Sequence, residues 1–166
     1  MENKILEIAL PIIKAYEGSH LKAYKCPVGI WTIGWGQTGK DIKEGLVWTQ
    51  EQADKALEES VKDFLSNVLK LLKVRVRPEQ VAALVSFAYN TGIGNLSKST
   101  LLRLINEGRS VDEVLPQFLV WSKGGGKTLL GLLLRRASEA VVFKGGSFIR
   151  FKSIEEASQH IKIPHE

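Results

Sequence analysis

The chain has 166 residues, 44% of them hydrophobic and 25% charged, which suits one packed core and leaves too little length for several. Lysine and arginine number 23 against 18 acidic residues, and the net +5 suits an anionic partner (a bacterial wall, nucleic acid or acidic lipid headgroups) without choosing among them. A single cysteine excludes an internal disulfide, so the fold rests on packing and tolerates a reducing compartment.

Taken in chain order, Ile5, Ile8, Ala9, Ile12, Ile13 and Tyr16 recur at helical spacing and predict a first helix, which Pro11 should kink or interrupt and Gly18 should end. Glu2, Lys4, Glu7, Pro11 and Lys14 break its apolar run, so it reads as neither a secretory signal nor a membrane span. Residues 20 to 38 change to short runs rich in Tyr, Val, Ile, Trp and Thr, broken by Pro27, Gly29, Gly34 and Gly36, the pattern of an antiparallel hairpin. A third short strand is expected near Ile42.

Thr49 and Gln52 form a capping-box pattern ahead of a long amphipathic helix over 50 to 72, with Ala53, Ala56, Leu57, Val61, Phe64, Leu65, Val68 and Leu72 on its apolar face. Pro78 suits the first turn of a helix carrying Val81, Leu84, Val85 and Ala88 and ending at Asn90, Thr91 and Gly92. Ser97 or Ser99 opens another, which Gly108 closes, and Ser110 with Glu113 caps the next. Gly124 to Gly126 break the pattern before an apolar helix over 129 to 143, and Ser153 with Glu156 starts a short last one. The chain therefore reads as α+β, mostly α, in a single domain over 1 to 166. A hairpin-containing lobe covers about 15 to 60, and 1 to 14 with 61 to 166 form a helical lobe joined to it by the long helix.

Glu17 falls at the predicted end of the first helix, where unpaired carbonyls disfavour a negative charge and so favour a carboxyl that keeps its proton. That is what a general acid needs, although a solvated glutamate is the commoner outcome for such a residue taken singly. Likewise a lone Cys26 is most often a small buried hydrophobe, and Thr32 in a β-rich run needs no catalytic explanation. Asn90 fits a helix cap as well as a ligand contact, Trp31 and Trp35 fit a core as well as a sugar cleft, and Arg135 and Arg136 can pair with Glu139 on their own helix. His20, His160 and His165 make no credible metal-ligand grouping with Cys26.

The joint spacing is more specific. Glu17, eight residues, Cys26, five residues and Thr32 follow the Glu, Asp or Cys, Thr pattern of bacteriophage lysozymes of the endolysin type. The chain resembles that family over most of its length, in "YEGSHLKAYKC", "GIWTIGWGQT", "FAYNTGIGNLSKSTLLRLINEG" and "GLLLRRASEAVVFKGG". The resemblance implies a lysozyme-like fold and muramidase cleavage of the β-1,4 bond between N-acetylmuramic acid and N-acetylglucosamine in peptidoglycan. It makes Glu17 the proton donor, sets Cys26 and Thr32 beside the attacking water, places Asn90 and Thr91 across the cleft as substrate contacts, and has Arg135 or Arg136 hold Glu17. Hydrolysis with inversion is implied, since a retaining scheme needs a second acid in the motif, and Asp41 and Glu44 are weakly placed for it.

Two positions depart from many relatives. Cys26 stands where an aspartate is common, and a thiol with an ordinary pKa of about 8.5 is mostly neutral at pH 7, so its expected role is to position or polarise the water, with covalent thioglycoside chemistry as the lesser alternative. Gln37 stands where a histidine is common, which bears on hairpin stability or substrate fit. The implied partner is bacterial peptidoglycan, reached from the host cytoplasm at lysis through a membrane lesion made by a holin. No cofactor, metal, nucleic acid or stable membrane insertion is expected, and the protein is expected to be a monomer. The competing reading is a catalytically inactive cationic protein that binds walls or disturbs membranes.

Overall fold

The computed structural model describes residues 1–164. Helix α1 (Glu2–Glu17) buries Ile5, Leu6, Ala9, Ile12 and Ile13 on one face and stops at Gly18, whose φ of 71° turns the chain out of the helix. The expected interruption at Pro11 does not occur. Pro11 and Glu7 are both exposed, so water can satisfy the Glu7 carbonyl that loses its partner, while burial of the opposite face holds the helical run together.

Strands β1 (His20–Lys25) and β2 (Trp31–Gly34) form the antiparallel hairpin, with Tyr24 opposite Thr32 and Lys25 opposite Trp31. The register shifts between His20 and Tyr24, a bulge that bends β1. The third strand expected near Ile42 is not formed there, because the chain turns at that point, with Ile42 N–H on Gly39 O at 3.1 Å and Leu46 N–H on Lys43 O at 3.2 Å. Pairing with β1 comes five residues later, at Val47 opposite Lys22, flanked by Ala23 N–H to Leu46 O at 2.9 Å and Trp48 N–H to Leu21 O at 2.8 Å.

Helix α2 (Gln50–Leu71) begins with the expected reciprocal cap: Gln52 N–H donates to Thr49 Oγ1 at 3.1 Å, and Thr49 N–H donates to Gln52 Oε1 at 2.8 Å. It buries Ala53, Leu57, Val61, Leu65 and Val68 and packs against β2, α1 and the next helix. That helix, α3 (Pro78–Thr91), has every residue from Val81 to Ala88 buried, as a helix apolar on all sides must when it runs through the centre of a core. A short α4 (Ile93–Lys98) follows, where the sequence pattern showed no separate element.

Ser99 caps α5 (Thr100–Asn106) and Ser110 caps α6 (Val111–Leu119), each accepting a backbone N–H from three residues on. The glycine break holds a two-residue-strand hairpin, β3 (Lys123–Gly124) with β4 (Lys127–Thr128). Helices α7 (Leu130–Phe143) and α8 (Ile154–Ser158) complete the chain, the second capped by Ser153 as expected. Phe87 of α3 packs edge-on against Phe118 and Trp121, and Phe118 lies 5.4 Å from Phe143, which ties α3, α6 and α7 into one aromatic cluster. Because α3 packs on both α1 and α7, the C-terminal end of α1 comes against the middle of α7.

Candidate active site

Glu17 is the last residue of α1, and Arg135 of α7 meets it there: Nη1 donates to Glu17 Oε1 at 2.6 Å, a short charge-assisted bond. Arg135 is only 3% exposed, and its other nitrogens are also engaged. Nε donates to Glu139 Oε2 at 3.3 Å, and Nη2 donates to the Ser86 carbonyl at 3.1 Å. Ser86 Oγ in turn donates to Glu139 Oε2 at 2.6 Å. Of the two arginines that the sequence pattern leaves open, Arg135 reaches Glu17 and Arg136 does not. Arg136 is fully buried, its Nε 2.7 Å from Glu139 Oε1 in a close ion pair that is not an aligned hydrogen bond, its guanidinium 5.0 Å from the Phe87 ring centre. Burial pulls the Arg136 guanidinium below its usual range, and the Glu139 carboxylate opposes that pull.

Two cavities meet at Glu17 and Asn90. One, of about 560 Å³, runs along α7 past Tyr16, Leu132, Arg135 and Arg150; the other, of about 360 Å³, opens toward the hairpin past Gly36, Gln37, Ser60, Phe64 and Tyr89. A Cβ added to Gly36 would sit 4.0 Å from Glu17 Oε2 and 3.9 Å from the Tyr89 hydroxyl, so the turn after β2 lies directly against the carboxyl. The Tyr89 phenol is pushed up to about 12, first by burial and then by the nearby Glu17 charge.

Gln37, one of the two departures, is what fastens this turn. Its Oε1 accepts Trp35 N–H at 2.7 Å, its Nε2 donates to the Tyr89 hydroxyl at 3.0 Å, and that hydroxyl donates to Trp35 O at 2.7 Å. Trp35 Nε1 donates to Asp54 Oδ1 at 2.9 Å, so this indole ties the turn to α2. Trp31 carries Lys25 Nζ over its ring at 5.4 Å.

Within the hairpin the structure brings Cys26 and Thr32 together. Thr32 is buried, and its hydroxyl donates to Ile30 O at 3.0 Å. The half-buried Cys26 thiol is held below the ordinary thiol range, chiefly by the Ile30 backbone N–H; partial burial opposes this, and the Val28 N–H, Thr32 hydroxyl and Gly29 N–H add to it. Neither residue lines the two cavities at Glu17.

Asn90 is exposed at the meeting of the cavities, and capping does not occupy it. Gly92 is the C-cap of α3, and Asn95 Nδ2 reaches back to Thr91 O at 2.6 Å. The Thr91 hydroxyl donates to Phe87 O at 2.9 Å inside its own helix, so only its oxygen lone pair is left for the adjoining cavity of about 470 Å³ that it lines with Asn90, Asn95 and Trp121. Sequence reasoning missed Ser86. A serine inside "VAALVSFA" was its signal, because a hydroxyl on an all-buried helix must find a partner. Among the described residues no three His, Cys, Asp or Glu side chains group as metal ligands, and no helix is long and apolar enough to cross a membrane. His165 lies outside the described residues.

A helix-end carboxyl clamped by a buried arginine and facing the turn of a small hairpin suits a lysozyme-type fold, and comparison with known proteins narrows the class. The family model described as phage lysozyme matches residues 14–139. An endolysin of Bacillus phage B103 is 42% identical over 86% of this chain and 54% of its own length, and one of Acyrthosiphon pisum secondary endosymbiont phage 1 is 38% identical over 84% of this chain and 97% of its own. Among solved structures, the endolysin from Escherichia coli O157:H7 phage FAHEc1 aligns with a TM-score of 0.75 at 34% identity, covering 88% of this chain and 94% of that one. The muramidase domain of SpmX from Asticaccaulis excentricus aligns with the same score at 33% identity over 86% and 95%. The chain belongs to the phage lysozyme family. It spans about half the length of the Bacillus phage relatives it matches.

Proposed function

We propose that the chain hydrolyses peptidoglycan, cleaving the β-1,4 bond between N-acetylmuramic acid and N-acetylglucosamine. The observation that carries this reading is the Glu17 carboxyl, clamped at one oxygen where two cavities meet. Arg135 Nη1 occupies Oε1, so a proton held by this carboxyl belongs on Oε2, the oxygen that faces the Gly36 turn and the hairpin-side cavity. Proton delivery to the glycosidic oxygen then comes from Oε2, and Asn90 beside it is free to hydrogen-bond an N-acetyl group or hydroxyl of the sugar.

On the opposite face of the sugar a water attacks, positioned by the Cys26 thiol and the Thr32 hydroxyl, and the anomeric centre inverts. The hairpin-containing part, about 15 to 60, forms one wall of the cleft, and 1 to 14 with the described part of 61 to 166 form the other. The protein works as a monomer without a cofactor. In an infected cell it waits in the cytoplasm and reaches the wall through a lesion made by a holin-type partner.

Purified peptidoglycan incubated with the protein should release soluble muropeptides with new N-acetylmuramic acid reducing ends, identified by mass spectrometry. Glu17→Gln should abolish that release while the protein still sediments with walls. Release that persists in Glu17→Gln removes the carboxyl from the chemistry. Lysis of intact bacteria by Glu17→Gln without muropeptide release would favour the membrane-disturbing reading instead.

A further inference from the structure

Proton donation by Glu17 and its clamp leaves a second carboxylate unexplained. Glu139 is 0% exposed, and on Oε2 it receives Ser86 Oγ at 2.6 Å, Arg136 Nη2 at 3.2 Å and Arg135 Nε at 3.3 Å. We propose that Glu139 is a positioning residue for the reaction: it fixes the rotation of the Arg135 guanidinium and offsets its charge, so that Glu17 is clamped at one oxygen and open at the other. The proposal rests on the reading of Glu17 as proton donor.

A guanidinium has three nitrogens in one plane, so engaging two of them sets where the third points. Glu139 takes Nε and the Ser86 carbonyl takes Nη2, which leaves Nη1 aimed at Glu17 Oε1 at 2.6 Å. Stability alone does not call for this arrangement. Burying ions costs desolvation, and apolar residues of the same volume commonly hold a core as well or better. What the ionic group supplies, and leucine or methionine would not, is a fixed direction for one cation at a helix end.

The charges also balance. Around Glu139 stand Arg135 and Arg136 from α7, Ser86 from α3 and, more distantly, Tyr16 from α1. Around Glu17 stand Arg135 from α7 and Tyr89 from α3, with Arg136 felt at longer range. Within the buried network two guanidinium groups thus face two carboxylates, while Arg150, 5.9 Å over the Tyr16 ring, adds a cation on the cavity side of Glu17. Replacing Glu139 by a neutral group leaves an uncompensated cation behind Glu17, which favours the ionised form of Glu17 and works against proton donation.

The test is the pH–rate profile of Glu139→Gln on purified peptidoglycan, with thermal unfolding and wall sedimentation as checks on folding and binding. Glutamine keeps the volume and one acceptor but removes the charge. The expected result is a kcat lowered on the order of tenfold, a nearly unchanged KM, and an alkaline limb moved to lower pH. Glu139→Asp should restore part of kcat and return the limb toward its original position. If Glu139→Gln does not accumulate as folded protein, Ser86→Ala, which removes the 2.6 Å donor, should lower kcat in the same direction with less loss of stability. A variant that unfolds at lower temperature yet keeps the wild-type kcat and pH profile shows a merely structural role and overturns the proposal. Failure of the unmutated protein to release muropeptides would overturn the hydrolase reading itself, which separates the two.

Discussion

The two halves of the proposed site are held by different means. On the helical side, Glu17 is fixed by a buried network in which Arg135 is 3% exposed and Glu139 and Arg136 are 0% exposed. On the hairpin side, Cys26 and Thr32 sit in a two-stranded sheet whose β2 packs on α2 and whose following turn is tied to the helices by hydrogen bonds through Gln37, Tyr89, Trp35 and Asp54. A buried ionic network fixes a direction and gives way only at high cost. A small two-stranded hairpin packed on one face can shift at lower cost, which suits the proposed entry of a polymer. The proposed proton donor is thus set rigidly, and the proposed water-holding side is set adjustably.

The largest effect should come from breaking the rigid half at its centre. Arg135→Met removes the cation between two carboxylates, leaving Glu139 with Arg136 as its one ion-pair partner among the described residues and Glu17 unclamped. Stability should fall by about 3 kcal/mol or more, read by urea denaturation, because one partner of a buried pair is deleted while the other stays buried. Muropeptide release should fall with it, even at temperatures where the variant is folded.

A smaller effect is expected where the two halves join. Tyr89→Phe deletes a hydroxyl that donates to Trp35 O at 2.7 Å and accepts from Gln37 Nε2 at 3.0 Å, so the turn after β2 loses its bond to α3. The expected loss is about 1–2 kcal/mol. A rise in KM larger than the fall in kcat would show that the hairpin has loosened without moving Glu17. The same phenol gives a pH signature. Its folded value of about 12 is above the unfolded one, so the stability it contributes is complete below the unfolded phenol pKa and is lost as pH rises toward 12. Tyr89→Phe should flatten that alkaline part of the stability curve.

Features fixed by neighbours in sequence were readable from sequence. The caps at Thr49, Ser110 and Ser153 each need only a partner three residues away, and all three form. Gly18 ends α1 with Glu17 as its last residue, and that glycine is signal enough to mark the proposed donor as a helix-terminal carboxyl. Whatever depended on how helices cross was not readable. Arg135 and Arg136 are adjacent, and adjacent residues on a helix point about 100° apart, so only the packing of α7 against α1 and α3 decides which one meets Glu17. The return strand was expected at Ile42 and pairs at Val47 because the partner edge of β1, bent by its bulge, selects the register. Pro11 looked like a break because propensity is local, whereas the buried face that overrides it is tertiary.

The smallest effect on stability, and the sharpest separation of the halves, should come from Cys26. Its side chain has no part in the buried network, so Cys26→Ser and Cys26→Asp should each change stability by no more than about 0.5 kcal/mol. Their activities should diverge. Aspartate offers a charged acceptor to the attacking water and should support release at least as fast as the thiol, whereas serine, a weaker acceptor whose proton is not lost at working pH, should slow it. An essential thiol nucleophile predicts the reverse, with both variants dead and a glycosyl adduct on the unmodified protein visible by intact mass. Alkylation by iodoacetamide gives an independent measure. Its rate should rise with pH through a midpoint below the about 8.5 of a free thiol, and Thr32→Val should move that midpoint upward, since the hydroxyl is one of the groups that stabilise the thiolate. A midpoint at or above the free value would mean that the hairpin does not polarise Cys26, and the water would then have to be held by Thr32 alone.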